Sequence, residues 1–283
     1  MNSVQKVIKY CAIAFAILLI CGIFSGIVAF CAVMGRIAGS WNGEVSSPSS
    51  AEVVELGGDV SWQGVEELYI DVKVVNLRVE KGSEFAVRGN DEIIELKRGG
   101  NAIYIEEKDA SWMTGWWNWN DRDAELVVTL PEKMDELEKF HLEAGAGRVD
   151  VADVSAKYVD CNLGAGRVEM KHIVATERAE IDGGAGLLIV QESVMRNLDL
   201  DMGVGKVELG LALTGKNEID AGVGKLELGL VDGEDAYRFV VNKGIGAITL
   251  NGENLGDNVT RGSGETLVQI EGGVGAIEVR TRD

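Results

Sequence analysis

The stretch GAGRVDV at residues 145–151 returns nineteen residues later as GAGRVEM (164–170), then as GVGKVEL (203–209) and GVGKLEL (222–228). Aligned on the glycine pair, the series is Gly145/Gly147, Gly164/Gly166, Gly184/Gly186, Gly203/Gly205, Gly222/Gly224, Gly244/Gly246 and Gly273/Gly275. Successive spacings are 19, 20, 19, 19, 22 and 29 residues. A fixed period of this length marks a repeat architecture, in which each unit buries its apolar face only against its neighbours.

Around each pair the pattern alternates with period two, as in a strand with one buried face. Three positions before the first glycine stand Leu142, Cys161, Ile181, Leu200, Ile219, Val241 and Ile270. Four and six positions after it stand pairs such as Val149/Val151, Val168/Met170 and Leu226/Leu228. Each repeat therefore reads as strand, glycine corner, strand, turn. Nineteen or twenty residues are too few for a strand, a helix and wide return loops. The expected fold is all-β, a single-stranded parallel β-solenoid of about 19–20 residues per coil, with strands about 4.8 Å apart. The residue between the glycines (Ala146, Ala165, Ala185, Val204, Val223, Ile245, Val274) is expected to point inward at a bend that the glycines make possible.

A glycine pair beside a basic residue also invites a phosphate-loop reading, which the spacing rejects. A dinucleotide fingerprint needs a third glycine opening a helix, and Asp150, Glu169, Ile189, Glu208, Glu227, Thr249 and Glu278 occupy that position. GVGK at 203–206 and 222–225 lacks the earlier glycine and the following Ser or Thr of a Walker loop. No nucleotide and no cofactor are expected. Charge excludes nucleic acid, since 46 acidic against 27 basic side chains give −19, the reverse of a basic footprint.

The charge is unevenly spread. Residues 1–36 hold Lys6, Lys9 and Arg36 and no acid, which leaves 24 basic and 46 acidic residues, a balance of −22, in the remainder. Between Lys9 and Arg36 lie 26 uncharged residues, enough for a membrane-spanning helix. They exceed the ~7–15 apolar residues of a cleaved signal peptide. A lipoprotein anchor at LLIC, before Gly22, is disfavoured by bulky Ile20. The expected organisation is a cytoplasmic N-terminus (1–9), a transmembrane helix (10–35) and a flexible linker (36–65). Irregular first coils (66–139) and regular repeats (140–283) follow. The positive-inside bias places the large domain outside the cell, on a single-pass anchor in the cell membrane. Cys11, Cys21 and Cys31 fall in the span and only Cys161 lies beyond it, so no disulfide framework is available to the repeats.

The recurring G-[AVI]-G-x-[VIL]-x-[VLM] units, the VTLP strand end (Val128–Pro131) and the N-terminal anchor together resemble a bacterial family described as putative adhesins with β-strand repeats. The resemblance covers roughly residues 66–283. It implies a β-repeat fold, no transferable catalytic residues, and a link with the cell envelope and its stress responses.

Two surfaces are candidates for contact with a partner. Outward parity places Glu143, Asp182, Asp201 and Asp220 in one column, and Asp160, Glu180, Asp199 and Glu218 in the next. Such an acidic face is either hydrated surface or a seat for Ca²⁺ or a cationic peptide. The insertion 109–123 gathers Trp112, Trp116, Trp117 and Trp119. It either caps the first coil or presents indoles to a membrane, glycan or protein partner. A basic column (Arg148, Arg167, Lys206, Lys225) beside acids reads as structural. His141 and His172 are isolated in the sequence, no zinc-type spacing occurs, and no nucleophile set suggests itself. The expected role is a non-catalytic, extracytoplasmic binding or scaffold protein of the envelope. The rival is a cell-wall carbohydrate-active enzyme, which requires a cleft with two carboxylates about 5–10 Å apart.

Overall fold

The computed structural model describes residues 54–56, 60–90, 92–108 and 125–282. All of them belong to the second of two compact units, Ser50–Asp283. The proposed span 10–35, most of the linker and the tryptophan-rich insertion 109–123 lie outside the described residues. No helix among the described residues is long and apolar enough to cross a membrane.

The described unit is all-β. Seven strands come first: β1 (Val54–Leu56), β2 (Glu67–Val72), β3 (Asn76–Gly82), β4 (Ala86–Gly89), β5 (Ile94–Gly99), β6 (Ala102–Glu107) and β7 (Glu125–Pro131). Five long ribbons follow: β8 (Leu137–Ala152), β9 (Ser155–Lys171), β10 (Val174–Arg196), β11 (Leu198–Thr214) and β12 (Lys216–Leu230). The chain ends with β13 (Tyr237–Asn242), β14 (Ile245–Leu250), β15 (Glu253–Asn254), β16 (Val259–Arg261) and β17 (Thr266–Thr281).

Each long ribbon is one coil bent at its glycine pair, and β8 to β12 stack in parallel with every glycine in register with the next, as Gly186 with Gly205 and Gly205 with Gly224. The alternation read from the sequence is the burial pattern: Leu142, Cys161, Ile181, Leu200, Ile219, Ile270 and Val241 are all buried, as are Val149, Val168, Leu188, Val207 and Leu226. The result is a solenoid-like stack around one continuous core. Asn217 replaces an apolar residue in that core and is fully satisfied there. Its Oδ1 accepts from the Leu198 N–H at 2.9 Å and its Nδ2 donates to the Leu267 carbonyl at 3.0 Å.

The corner carries a correction. The residue between the glycines points outward, not inward: Val204, Val223, Ile245 and Val274 are 45 to 75 % exposed. The inward position is instead the residue before the first glycine, where Ala144, Leu163 and Met202 are buried. The alternation breaks because the second glycine of every pair sits at φ between +141° and +155°, a region open to glycine alone. The first glycine is needed for a different reason. A β-carbon on Gly203 would lie 2.5 Å from the Gly184 carbonyl oxygen in the coil beneath.

Stacking order departs from chain order at both ends. β17 pairs with β12 on one side and with β13 and β14 on the other, so the last coil in the sequence lies one layer inside the coil before it. At the other end β2 and β3 lie between β8 and the coil made by β6 and β7. Both outermost coils are covered by short antiparallel strands, β4 and β5 at one end and β15 and β16 at the other. That arrangement shields the unpaired edges a parallel stack would otherwise present. The first coils thus belong to the same stack, as the sequence indicates. The KVVNL segment (73–77) stands at the corner, with the Ala146 N–H donating to the Lys73 carbonyl at 2.6 Å. In place of glycine, the Glu107 carboxylate accepts from the Lys73 and Val74 N–H groups at 2.6 and 2.9 Å.

Candidate functional site

Register converts the acidic residues into two ladders on one outward face. In one, His141, Asp160, Glu180, Asp199 and Glu218 are successive partners. In the other, Glu106, Asp71, Glu143, Asn162, Asp182, Asp201, Asp220 and Glu271 follow one another. All eight acidic residues singled out from the sequence therefore share this face.

The two ladders are electrostatically unlike. Basic residues two positions earlier in alternate coils serve the first: Lys139 reaches Asp160 at 2.9 Å, Arg178 reaches Asp199 at 2.8 Å, and Lys216 pairs with Glu218. Burial raises the Asp160 carboxyl, but the Lys139 ammonium and the His141 ring outweigh it and hold the group below its ordinary value. The second ladder has no such column, although Glu106 at its end pairs with Lys97 at 3.3 Å. Asp220 is pushed above the ordinary aspartate range, first by burial and then by Glu271 and Asp201; Asp71 is raised by burial and by Glu143. The sequence carried the signal for this difference in Lys139, Arg178 and Lys216, which stand two residues before His141, Glu180 and Glu218 of the first ladder.

A carboxyl whose folded pKa lies above its unfolded value penalises folding at neutral pH, and the penalty fades as pH falls through the raised value. Asp220→Asn is therefore expected to stabilise the protein at pH 7 and to leave it unchanged near pH 3. The gain should be below about 1 kcal/mol after solvent screening, or about 1–3 °C in Tm. Thermal melts of both proteins at the two pH values check this.

The basic column after the corner is structural, as its alternation with acids suggests. Arg148 bonds Asp150 at 2.8 Å, Arg167 pairs with Glu169, Lys206 reaches Glu208 at 2.6 Å and Lys225 pairs with Glu227. Between Gln191 and Arg280 this face holds a hollow of about 180 Å³, floored by Gly210 and Gly229 and lined by Glu208, Glu227 and Glu278. Its carboxylates are all salt-bridged, and hydrogen bonding from Lys225 holds Glu227 below its ordinary value. A general acid needs the opposite shift.

The histidines are not isolated in space. His141 Nδ1 lies 3.0 Å from Asp160, and His172 is held between Asp153 at 3.0 Å and Glu192 at 2.6 Å. Asp153, His172 and Glu192 share a left-handed turn position in three adjacent coils, with φ of 61°, 54° and 51°. Among the described residues no serine, threonine or cysteine side chain bonds either ring, so the arrangement lacks a nucleophile. Cys161 is buried, which pushes its thiol far above the ordinary range and leaves it unreactive. Among the described residues no cluster of three or more His, Cys, Asp or Glu side chains is arranged to hold a metal ion.

Trp112, Trp116, Trp117 and Trp119 lie outside the described residues, but their attachment is defined. β6 pairs with β2 up to Glu106 and β7 pairs with β3 from Glu125, so the insertion lies in the chain between these two strands. The stack's end is closed without it, by β4 and β5.

Three solved structures are similar to the chain at low identity. A "putative cell adhesion protein" from Clostridium sporogenes is 19% identical with a TM-score of 0.35, covering 82% of this chain and 98% of that one. A "putative adhesin" from Bacteroides fragilis is 12% identical with a TM-score of 0.48, covering 81% and 97%. A "putative lipid binding protein" from Parabacteroides distasonis is 13% identical with a TM-score of 0.40, covering 81% and 96%. No curated protein matches the chain. The family model described as Toastrack DUF4097 matches residues 65–279, from β2 through the last coil, and the chain belongs to that family.

Proposed function

We propose that this chain is a non-catalytic binding or scaffold protein of the bacterial envelope. In this reading it is held by a single span at residues 10–35, with its N-terminus in the cytoplasm and its stack outside. The observation that carries the reading is the unbroken register of outward columns over successive coils. Such a surface offers repeated, evenly spaced contacts about 4.8 Å apart and no deep cleft in which to enclose a reacting group. The hydrolase alternative draws no support from the acidic face, which is a flat ladder, or from the hollow, whose carboxylates are all engaged in salt bridges.

The contact surfaces proposed for partners are the uncompensated acidic ladder (Glu143, Asp182, Asp201, Asp220) and the insertion bearing Trp112, Trp116, Trp117 and Trp119. A cationic peptide or envelope protein suits the first by charge, and a glycan or protein suits the indoles. The test is recovery of partners from native envelopes with the full-length chain as bait. Wild type is compared with Asp182/Asp201/Asp220→Asn and with Trp116/Trp117→Ser. A salt-sensitive partner lost with the triple asparagine variant supports the acidic surface, and one lost with the serine variant supports the insertion. Recovery of no partner, or release of sugar from purified cell wall, would overturn the reading.

A further inference from the structure

The outward turn of the corner residues has a consequence for assembly. Val74, Ala146, Ala165, Ala185, Val204, Val223, Val274 and Ile245 occupy one position in eight stacked coils. They make an apolar ridge about 34 Å long at 4.8 Å per coil. It is tallest over four adjacent coils, where Val204, Val223, Val274 and Ile245 are each 45 % exposed or more. Four β-branched side chains in a row on a strongly charged surface form a contiguous apolar patch, unlike singly scattered hydrophobics, which need no explanation.

The ridge separates columns of opposite sign. Before it runs the acidic ladder with Asp201, Asp220 and Glu271; after it stand Lys206 and Lys225, each also paired within its own coil to Glu208 or Glu227, and then Ala276 and Ala247. We propose that the ridge seats a second copy of the chain, the two stacks running parallel about a two-fold axis along the stacking direction. That axis places Glu143, Asp201 and Asp220 of each copy opposite Arg148, Lys206 and Lys225 of the other. An antiparallel pair would let valines sit over the alanine half, but would face acid with acid in half of the coils. Like charges brought together at an interface exclude that orientation more strongly than the improved fit favours it. The patch is narrow beside the ~800 Å² per partner of a stable interface. Pairing is therefore expected where copies are concentrated, as on a shared membrane surface. The orientation rests on charge and does not depend on the anchor.

The test uses the full-length chain in native membranes. Cys11, Cys21 and Cys31 are replaced by alanine and buried Cys161 is kept. Val204→Cys, Val223→Cys and Val274→Cys are introduced singly and treated with a short bis-maleimide. A parallel two-fold pair brings each position against itself, so all three are expected to give dimer in more than half of the chains. Adding Val204→Lys and Val223→Lys to the Val274→Cys protein should reduce its dimer at least tenfold, with circular dichroism unchanged. Dimer from only one position, or only from mixtures of variants, would mean an antiparallel or offset contact and overturn the proposal. No dimer from any position would overturn it too, and would assign the ridge to another occupant. Fractionation of the same samples reports membrane association separately.

Discussion

Gly205→Ala is expected to lower the melting temperature by about 10 °C. Two costs combine. The residue sits at φ +145°, and a β-carbon there would overlap the Gly186 carbonyl of the adjoining coil. Strain at such a φ costs about 1–3 kcal/mol, and forced overlap about as much again. A loss of about 4 kcal/mol in a domain of this size shifts Tm by about 8–16 °C. The control is Gly210→Ala. Gly210 lies in a strand at ordinary φ, and its β-carbon would come no closer than 3.9 Å to the Val190 carbonyl oxygen. Alanine there is expected to stabilise by about 0.5–1 kcal/mol by reducing the freedom of the unfolded chain. Scanning calorimetry of the two proteins separates a glycine required by stacking from one that is not. Equal effects would sink the account of the corner.

Removal of residues 266–283 is expected to have a larger effect still, because β17 is an interior layer. It contacts β12 through the whole coil and β13 and β14 through the other side, with Val268, Ile270 and Val279 buried between them. Without it, residues 237–261 lose their parallel neighbour, and the ladder of β12 is exposed to solvent. Hydrogen exchange should show protection lost throughout 237–261 while β8 to β10 stay protected. A stack built in chain order would behave otherwise: the same truncation would remove an outermost coil and leave 237–250 as protected as before. Retained protection there would show the order of layers to be wrong.

Much of this was legible from residues alone. The period, the inward columns through Leu142 and Val149, the outward acidic columns and the coil nature of 66–139 follow from alternation and spacing, because both faces of a strand leave their mark every second residue. Three features did not follow. The exchanged order of the end coils leaves no trace, since every coil has the same period and any order satisfies the same pattern. The outward turn of Ala146 and Val204 was missed because alternation was carried through a corner where a glycine at positive φ breaks it. The division of the acidic face into a neutralised and an uncompensated ladder depends on long side chains such as Arg178 reaching across to Asp199 in the next coil, which parity does not reveal.

The inside-out placement of the two end layers also sets when each can form as the chain emerges N-terminus first. The coil of β2 and β3 can be joined from either side as later residues appear, so that end grows outward from its earliest segment. At the other end β13 and β14 emerge ahead of the layer they rest on. Their native parallel neighbour is absent until residues 266–281 follow. Closure of the stack is thus the last folding event and awaits the last strand, so a chain arrested short of it would display an open, sticky ladder at β12.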